Sequence, residues 1–195
     1  MNKSRLEAFS DGVLAIIITI MVLELKVPHS TDLNSLLPLL PVFISYVISF
    51  IYIGIYWNNH HHMLHTVKQV SGAILWANLH LLFWLSLVPF VSAWLGENYL
   101  SPLPVTLYGV VLLMAAIAYF TLQNTIIKAQ GKDSLLLKAL GKDVKGWLSL
   151  FLYISAILLS FWNHWISDII YGIVAFIWLI PDRRIERLLT SEHEK

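Results

Sequence analysis

The sequence predicts an all-α membrane protein, a single domain over residues 1–195 built from six transmembrane helices. Three observations carry that expectation. Of the 195 residues, 57% are hydrophobic and only 13% charged, whereas soluble domains carry about a quarter charged residues. Mean hydropathy is +0.70. Six apolar stretches recur along the chain, separated by short polar connections. The basic residues also fall on alternating connections, as the positive-inside rule requires of a membrane bundle.

A membrane-crossing helix needs ~17–25 mostly apolar residues. The first stretch, residues 8–25, reads FSDGVLAIIITIMVLEL after its alanine. It is not a secretory signal, because it contains Asp11 and Glu24 and no small-residue cleavage site follows it. The second, 37–57, ends against the polar run WNNHHHMLH. The third, 70–95, carries Pro89, a strong breaker, in its later half. The fourth spans 103–127. The connection at 128–146 repeats a GKD element at Gly131 and Gly141. Residues 134–140 within it suit either a short amphipathic helical turn or a solvated loop with affinity for anionic lipid, and the loop is the preferred reading. The fifth and sixth stretches, 147–162 and 166–180, are short and form a tight hairpin around Asn163, His164 and Trp165. Asp168 reads as an N-cap of the last helix and a partner for His164.

Six spans place both termini on one side. Of the 13 Lys and Arg residues, all but Lys26 then fall on that side, which makes it cytoplasmic. The absence of cysteine excludes disulfides and thiolate metal sites. A net charge of +1 implies no nucleic acid or other acidic polymer as partner, and no cofactor is expected.

On a helical wheel the first helix carries Phe9, Gly12, Ile16, Ile20 and Leu23 along one stripe, with Thr19 at its side. Asp11 lies on the opposite side with Leu14 and Ile18. An acid in a membrane helix faces protein or water. As a structural group, Asp11 or Ser10 caps the helix start and Asp11 pairs with Arg5; as a functional group, Asp11 would be an ion ligand. The stripe either packs on neighbouring helices or, with several copies of the helix around an axis, forms a hydrophobic constriction that gates by dewetting. Glu24 at the outer end suits a ring of acids at a pore mouth or a pair with Lys26.

Arg5, Phe9, Ser10 and Asp11 make up R-x-x-x-F-S-D at the opening of this helix. Together with WNNHHHMLH (57–65) and NLHLLFWLSLVPF (78–90), they resemble the endosomal, lysosomal and bacterial potassium-channel family known as transmembrane protein 175. The resemblance covers the whole six-span plan. It implies a homotetramer of one-unit chains in a bacterial cell membrane, with the first helix lining the pore and passive conduction favouring potassium over sodium. It implies that Ile16 and Leu23 occupy the bulky constriction positions, with Ile20 between them and Thr19 at the selectivity position. Arg5, Phe9, Ser10 and Asp11 would hold the first helix against the second and third, with partners among Trp57, His60, His61 and Asn78. The choice between the adjacent histidines stays open.

His60, His61, His62 and His65 also raise a metal site, since His61 and His65 are spaced for one helix face. The H-E-x-x-H pattern is absent and a third ligand would have to come from His80, so no metal is expected. The preferred reading is a helix end joined to the first-helix motif, with pH modulation as the rival. A membrane-embedded enzyme lacks a nucleophile–base pair here. The alternative function is a proton-coupled secondary cation transporter, for which the inverted repeats common in such proteins are not evident.

Overall fold

The computed structural model describes residues 2–131, 134–140 and 143–179. Among them there are eight α-helices and no strand: α1 (Lys3–Leu23), α2 (Leu40–His65), α3 (Gly72–Ser86), α4 (Val88–Glu97), α5 (Pro102–Gln130), α6 (Leu135–Leu140), α7 (Val144–Leu159) and α8 (His164–Leu179). A 3₁₀ stretch, Leu33–Leu39, leads into α2. Four runs are long and apolar enough to cross a membrane: Lys3–Leu23, Leu33–His65, Gly72–Glu97 and Pro102–Gln130. α7 and α8 are apolar helices of 16 residues each, about 24 Å at 1.5 Å per residue.

Several expectations need correction. The first helix starts at Lys3, capped by the Asn2 side chain accepting from the Ser4 amide. Ser10 and Asp11 therefore sit inside the helix and cap nothing. α2 runs to His65, so the histidines lie on the helix rather than beyond it; the run WNNHHHMLH contains no glycine or proline to stop it. The third span is interrupted at Leu87, where Pro89 opens α4 without an amide hydrogen to donate. The connection after α5 is not a solvated loop over 134–140. It holds α6, with Ser134 and Leu136 buried against the bundle. Gly131 ends α5 at φ +64°, a conformation that disfavours any side chain. Lys132, Lys142 and the C-terminal Arg183, Arg184, Arg187 and Lys195 of the charge argument lie outside the described residues.

Contacts between elements fix two ends of the bundle. At one, Lys3 Nζ donates to the His65 carbonyl at 2.7 Å and Gln130 Nε2 to the Thr66 carbonyl at 2.8 Å. Gln123 Nε2 also reaches Asp143 there at 3.3 Å. At the other, Lys26 meets Glu97, and Thr106 meets Ser160 at 2.6 Å. α1, α2, α3–α4, α5, α7 and α8 thus alternate in direction.

Lipid offers no hydrophobic drive for helix association, so close approach and interhelical hydrogen bonds do that work. α5 is central, packed on α3, α4, α7 and α8. A Cβ at Gly109 would stand 1.9 Å from the Tyr171 hydroxyl, and one at Gly96 would stand 2.6 Å from Val42 Cα. Tyr52 Oη donates to the Tyr171 carbonyl at 2.6 Å and Ser167 Oγ to the Ala156 carbonyl at 2.7 Å. The core these bonds tie together includes Leu14, Ile53, Ile74, Leu81, Leu112 and Leu122.

Candidate functional site

α1 has two faces. Leu6, Ser10, Leu14, Ile17 and Met21 are buried, at the three- and four-residue spacing of one helix side. They face α2, α3 and α4. The other side is left uncovered by the rest of the chain: Ile16 is 58% exposed, Ile20 42% and Leu23 77%, with Thr19 exposed between them and Gly12 one turn before.

Thr19 Oγ1 donates within its own helix, to the Ala15 carbonyl at 3.1 Å and the Ile16 carbonyl at 2.9 Å. A hydroxyl has one hydrogen and two lone pairs. With the hydrogen committed to α1, what Thr19 offers the open face is an acceptor oxygen.

The covered face is tied down by a buried three-helix chain. Ser10 Oγ donates to the Leu6 carbonyl at 2.9 Å and accepts from Asn78 Nδ2 of α3 at 3.0 Å. Asn78 Oδ1 lies 2.7 Å from His60 Nε2 of α2. An amide oxygen only accepts, so His60 carries its hydrogen on Nε2. Ser10 and Asn78 are fully buried and His60 nearly so. Of the two candidate histidines, His60 is therefore the one bonded into the interior. His61 stacks on Trp57, ring centroids 6.2 Å apart, and lies 4.7 Å from the His65 ring.

A second tie is peripheral. Asp11 Oδ1 accepts from Trp57 Nε1 at 3.0 Å, with both residues exposed. That satisfies one carboxylate oxygen without a cation. Among the described residues no ion pair joins Arg5 to Asp11; Arg5 is exposed on the turn before. Phe9 is 51% exposed and stands on the open side rather than in the buried chain.

Charges hold the two ends of α1. Lys3 lies 3.8 Å from Glu7. Lys26 pairs with Glu97 rather than with Glu24, and the hydrogen bond and charge of Glu97 raise its ammonium above the usual lysine range. Glu24, the C-cap residue of α1, is left exposed. Neither Lys3–His65 nor Lys26–Glu97 was legible in the sequence, since each joins residues more than 60 positions apart with no motif around them.

Among the described residues no three His, Asp or Glu side chains converge as a metal site. His80 is engaged instead, accepting from Trp84 Nε1 at 3.0 Å. Asp168 does not cap α8; Asn163 Oδ1 does, accepting from the Trp165 amide at 3.0 Å. Among the described residues no ion pair joins Asp168 to His164.

The arrangement is thus an apolar, threonine-bearing helix face presented outward from a bundle that grips the opposite face. Comparison with known proteins gives it a setting. The family described as endosomal/lysosomal potassium channel TMEM175 matches residues 5–89. A potassium channel of Chryseobacterium sp. (strain P1-3) is 56% identical over 97% of this chain and 98% of its own length. The crystal structure of a lysosomal potassium-selective channel TMEM175 homolog from Chamaesiphon minutus superposes with a TM-score of 0.81. It is 31% identical and covers 92% of this chain and 97% of that one. The human endosomal/lysosomal proton channel TMEM175 is 36% identical over 38% of this chain and 17% of its own.

Proposed function

Because the chain belongs to the endosomal/lysosomal potassium channel TMEM175 family, we propose that it is a passive, potassium-preferring cation channel. Its functional form is a homotetramer of six-span subunits, each a single domain, with the α1 helices around the axis. Both termini are cytoplasmic in a bacterial cell membrane. One observation carries this reading: the stripe of Ile16, Thr19, Ile20 and Leu23 lies on the side of α1 that its own bundle leaves open.

Bulky apolar side chains from several copies narrow the path and exclude bulk water, so a crossing ion sheds part of its hydration shell. Potassium loses its water at lower cost than sodium. A ring of Thr19 oxygens, each with its hydrogen turned back into α1, replaces part of that shell with acceptors. Glu24 at the helix end concentrates cations at the mouth, since Lys26 is occupied by Glu97. Ser10 and Asp11 serve the anchoring of α1, with Asn78, His60 and Trp57 as supports and His61 stacked on Trp57, while Arg5 and Phe9 of the same motif stand exposed beside them. A rigid grip on one face keeps the opposite face at a fixed distance from the axis.

The test is current through the purified protein in a planar bilayer, under potassium, sodium and proton gradients, beside Leu23→Ala. Passive current that reverses near the potassium potential, and changes in size or selectivity in Leu23→Ala, supports the proposal. Reversal at the proton potential would assign the conducted ion differently. Flux that needs a second gradient would replace the channel with a coupled transporter.

A further inference from the structure

At the Lys26–Glu97 end of the bundle, residues of α2, α4, α5 and α8, but none of α1, line a half-open cavity of about 330 Å³. Its walls are mostly apolar and aromatic, with Ile44, Tyr99, Tyr108, Trp165 and Tyr171 among them, and one carboxylate, Asp168, faces them. The size is at the lower end of that of small-ligand sites, ~300–1,000 Å³. We propose that this cavity binds an ammonium group, carried by a small primary amine or by an ethanolamine lipid headgroup, with Asp168 as its counter-ion.

The protein compensates Asp168 only in part, through the charge of His164. It is half-buried in the second turn of α8. Among the described residues it has neither hydrogen bond nor ion pair. Lys26, the one lysine of this end among the described residues, is taken by Glu97. His164, one turn earlier, makes no ion pair with it. A carboxylate in an apolar span is costly unless a partner arrives.

The tyrosines make the site an acceptor site. Ser92 Oγ donates to the Ser45 carbonyl at 3.2 Å, and Ser49 Oγ donates to Ser92 Oγ at 2.8 Å. Ser49 has then spent its hydrogen, so in the 3.1 Å contact with Tyr108 Oη the tyrosine donates. Tyr171 Oη donates to the Val105 carbonyl at 3.2 Å. Both phenol hydrogens are thus committed to the protein. What these tyrosines and Asp168, their electrostatic neighbour, have left is lone pairs. A group with several N–H donors and a positive charge complements that set; an anion or a neutral acceptor does not. Tyr99 and Trp165 in the lining put aromatic rings near a bound cation, and the apolar walls suit a short alkyl chain over a bare metal ion.

The probe is n-butylammonium chloride, titrated into detergent-purified full-length protein and read as the shift in thermal unfolding. Sodium chloride and 1-butanol serve as charge and shape controls. A saturable upward shift with butylammonium alone is expected. Asp168→Asn should weaken its apparent affinity at least ~10-fold, while Asp32→Asn, an exposed carboxylate in the α1–α2 connection outside the cavity lining, leaves it unchanged. The same titration in wild type and Asp168→Asn, or no saturable shift in wild type, overturns the proposal. Should Asp168→Asn fail to fold, Ile44→Trp decides. That residue is half exposed at the cavity wall, and an indole there fills the space with Asp168 intact. Lost binding supports the site, and retained binding overturns it. Nanodiscs separate the sources. An apparent affinity weakened by ethanolamine lipid but not by glycerol-headgroup lipid assigns the headgroup, and equal affinity in both assigns a soluble amine.

Discussion

Asn78 Nδ2 donates to Ser10 Oγ across 3.0 Å, and neither side chain is reached by solvent. Asn78 also accepts from His60, so one amide bridges α1 to α2 from its place on α3. Replacing it removes two interhelical bonds and strands the His60 Nε2–H. Asn78→Leu is therefore expected to destabilise the bundle by ~1–3 kcal/mol, the cost of a buried unsatisfied donor. Ser10→Ala loses one acceptor and should cost less, about 0.5–2 kcal/mol for a membrane interhelical bond. In a double-mutant cycle the two effects should fall short of additive. Denaturant or thermal unfolding in detergent measures all three.

Helix crossing at Gly109 gives a second expectation. The Tyr171 hydroxyl occupies the space a methyl would need, and Ile157 Cγ1 stands 3.0 Å from the same point. Gly109→Ala must push α5 and α8 apart or turn Tyr171 off the Val105 carbonyl. The cost should be ~1–3 kcal/mol of overpacking. Gly12→Ala, on the open side of α1 with nothing within 4 Å, should be neutral or slightly stabilising to a single subunit by comparison. A thermal melt of the two variants side by side checks the contrast.

Lys26 and Glu97 tie the end of α1 to the end of α4 at an exposed site. The pair raises the Lys26 ammonium above its ordinary value of 10.5. A group raised in the folded state contributes its stability below the unfolded value and loses it as pH climbs through the folded one. Stability between pH 7 and 9 should therefore be flat with respect to this pair, with its contribution lost only above about pH 10.5. Glu97→Gln should remove that alkaline loss and have little effect on the melting temperature at neutral pH and physiological salt. Melting curves at pH 8 and pH 11 test it.

The broad architecture was legible because lipid imposes one rule, apolar helices of bilayer length, and the runs of Val, Ile, Leu and Phe obey it. Helix ends were less legible. Asn2 lies in a polar N-terminus, where hydropathy cannot tell a cap from a tail, so the extra turns from Lys3 to Glu7 went unread. At α6 the loop was preferred over the short helix because six residues carry too little periodicity to separate the two. The R-x-x-x-F-S-D pattern directed attention to Ser10 and Asp11. Which histidine turns inward was decided by the continuation of α2, and a run of three adjacent imidazoles carries no such signal. The cavity around Asp168 was invisible because its walls come from four segments, Leu40 to Tyr171, that only packing brings together.

The open face of α1 carries the functional prediction. Thr19 contributes a side-chain oxygen to an otherwise apolar stripe, with its hydrogen bonded inside the helix. Thr19→Val keeps the branched shape and removes that oxygen. The helix loses a local bond worth about 0.5–1.5 kcal/mol at most, so the protein should fold and still pass current. The ratio of potassium to sodium permeability should fall several-fold, because the passage no longer offers acceptors in place of lost water. Leu23→Ala acts on width instead. It removes the most exposed side chain of the stripe and should raise conductance with a smaller effect on the ratio. Reversal potentials under bi-ionic conditions separate the two variants. An unchanged ratio in Thr19→Val together with unchanged conductance in Leu23→Ala would remove α1 from the conduction path, and its exposed stripe would then be a lipid-facing surface.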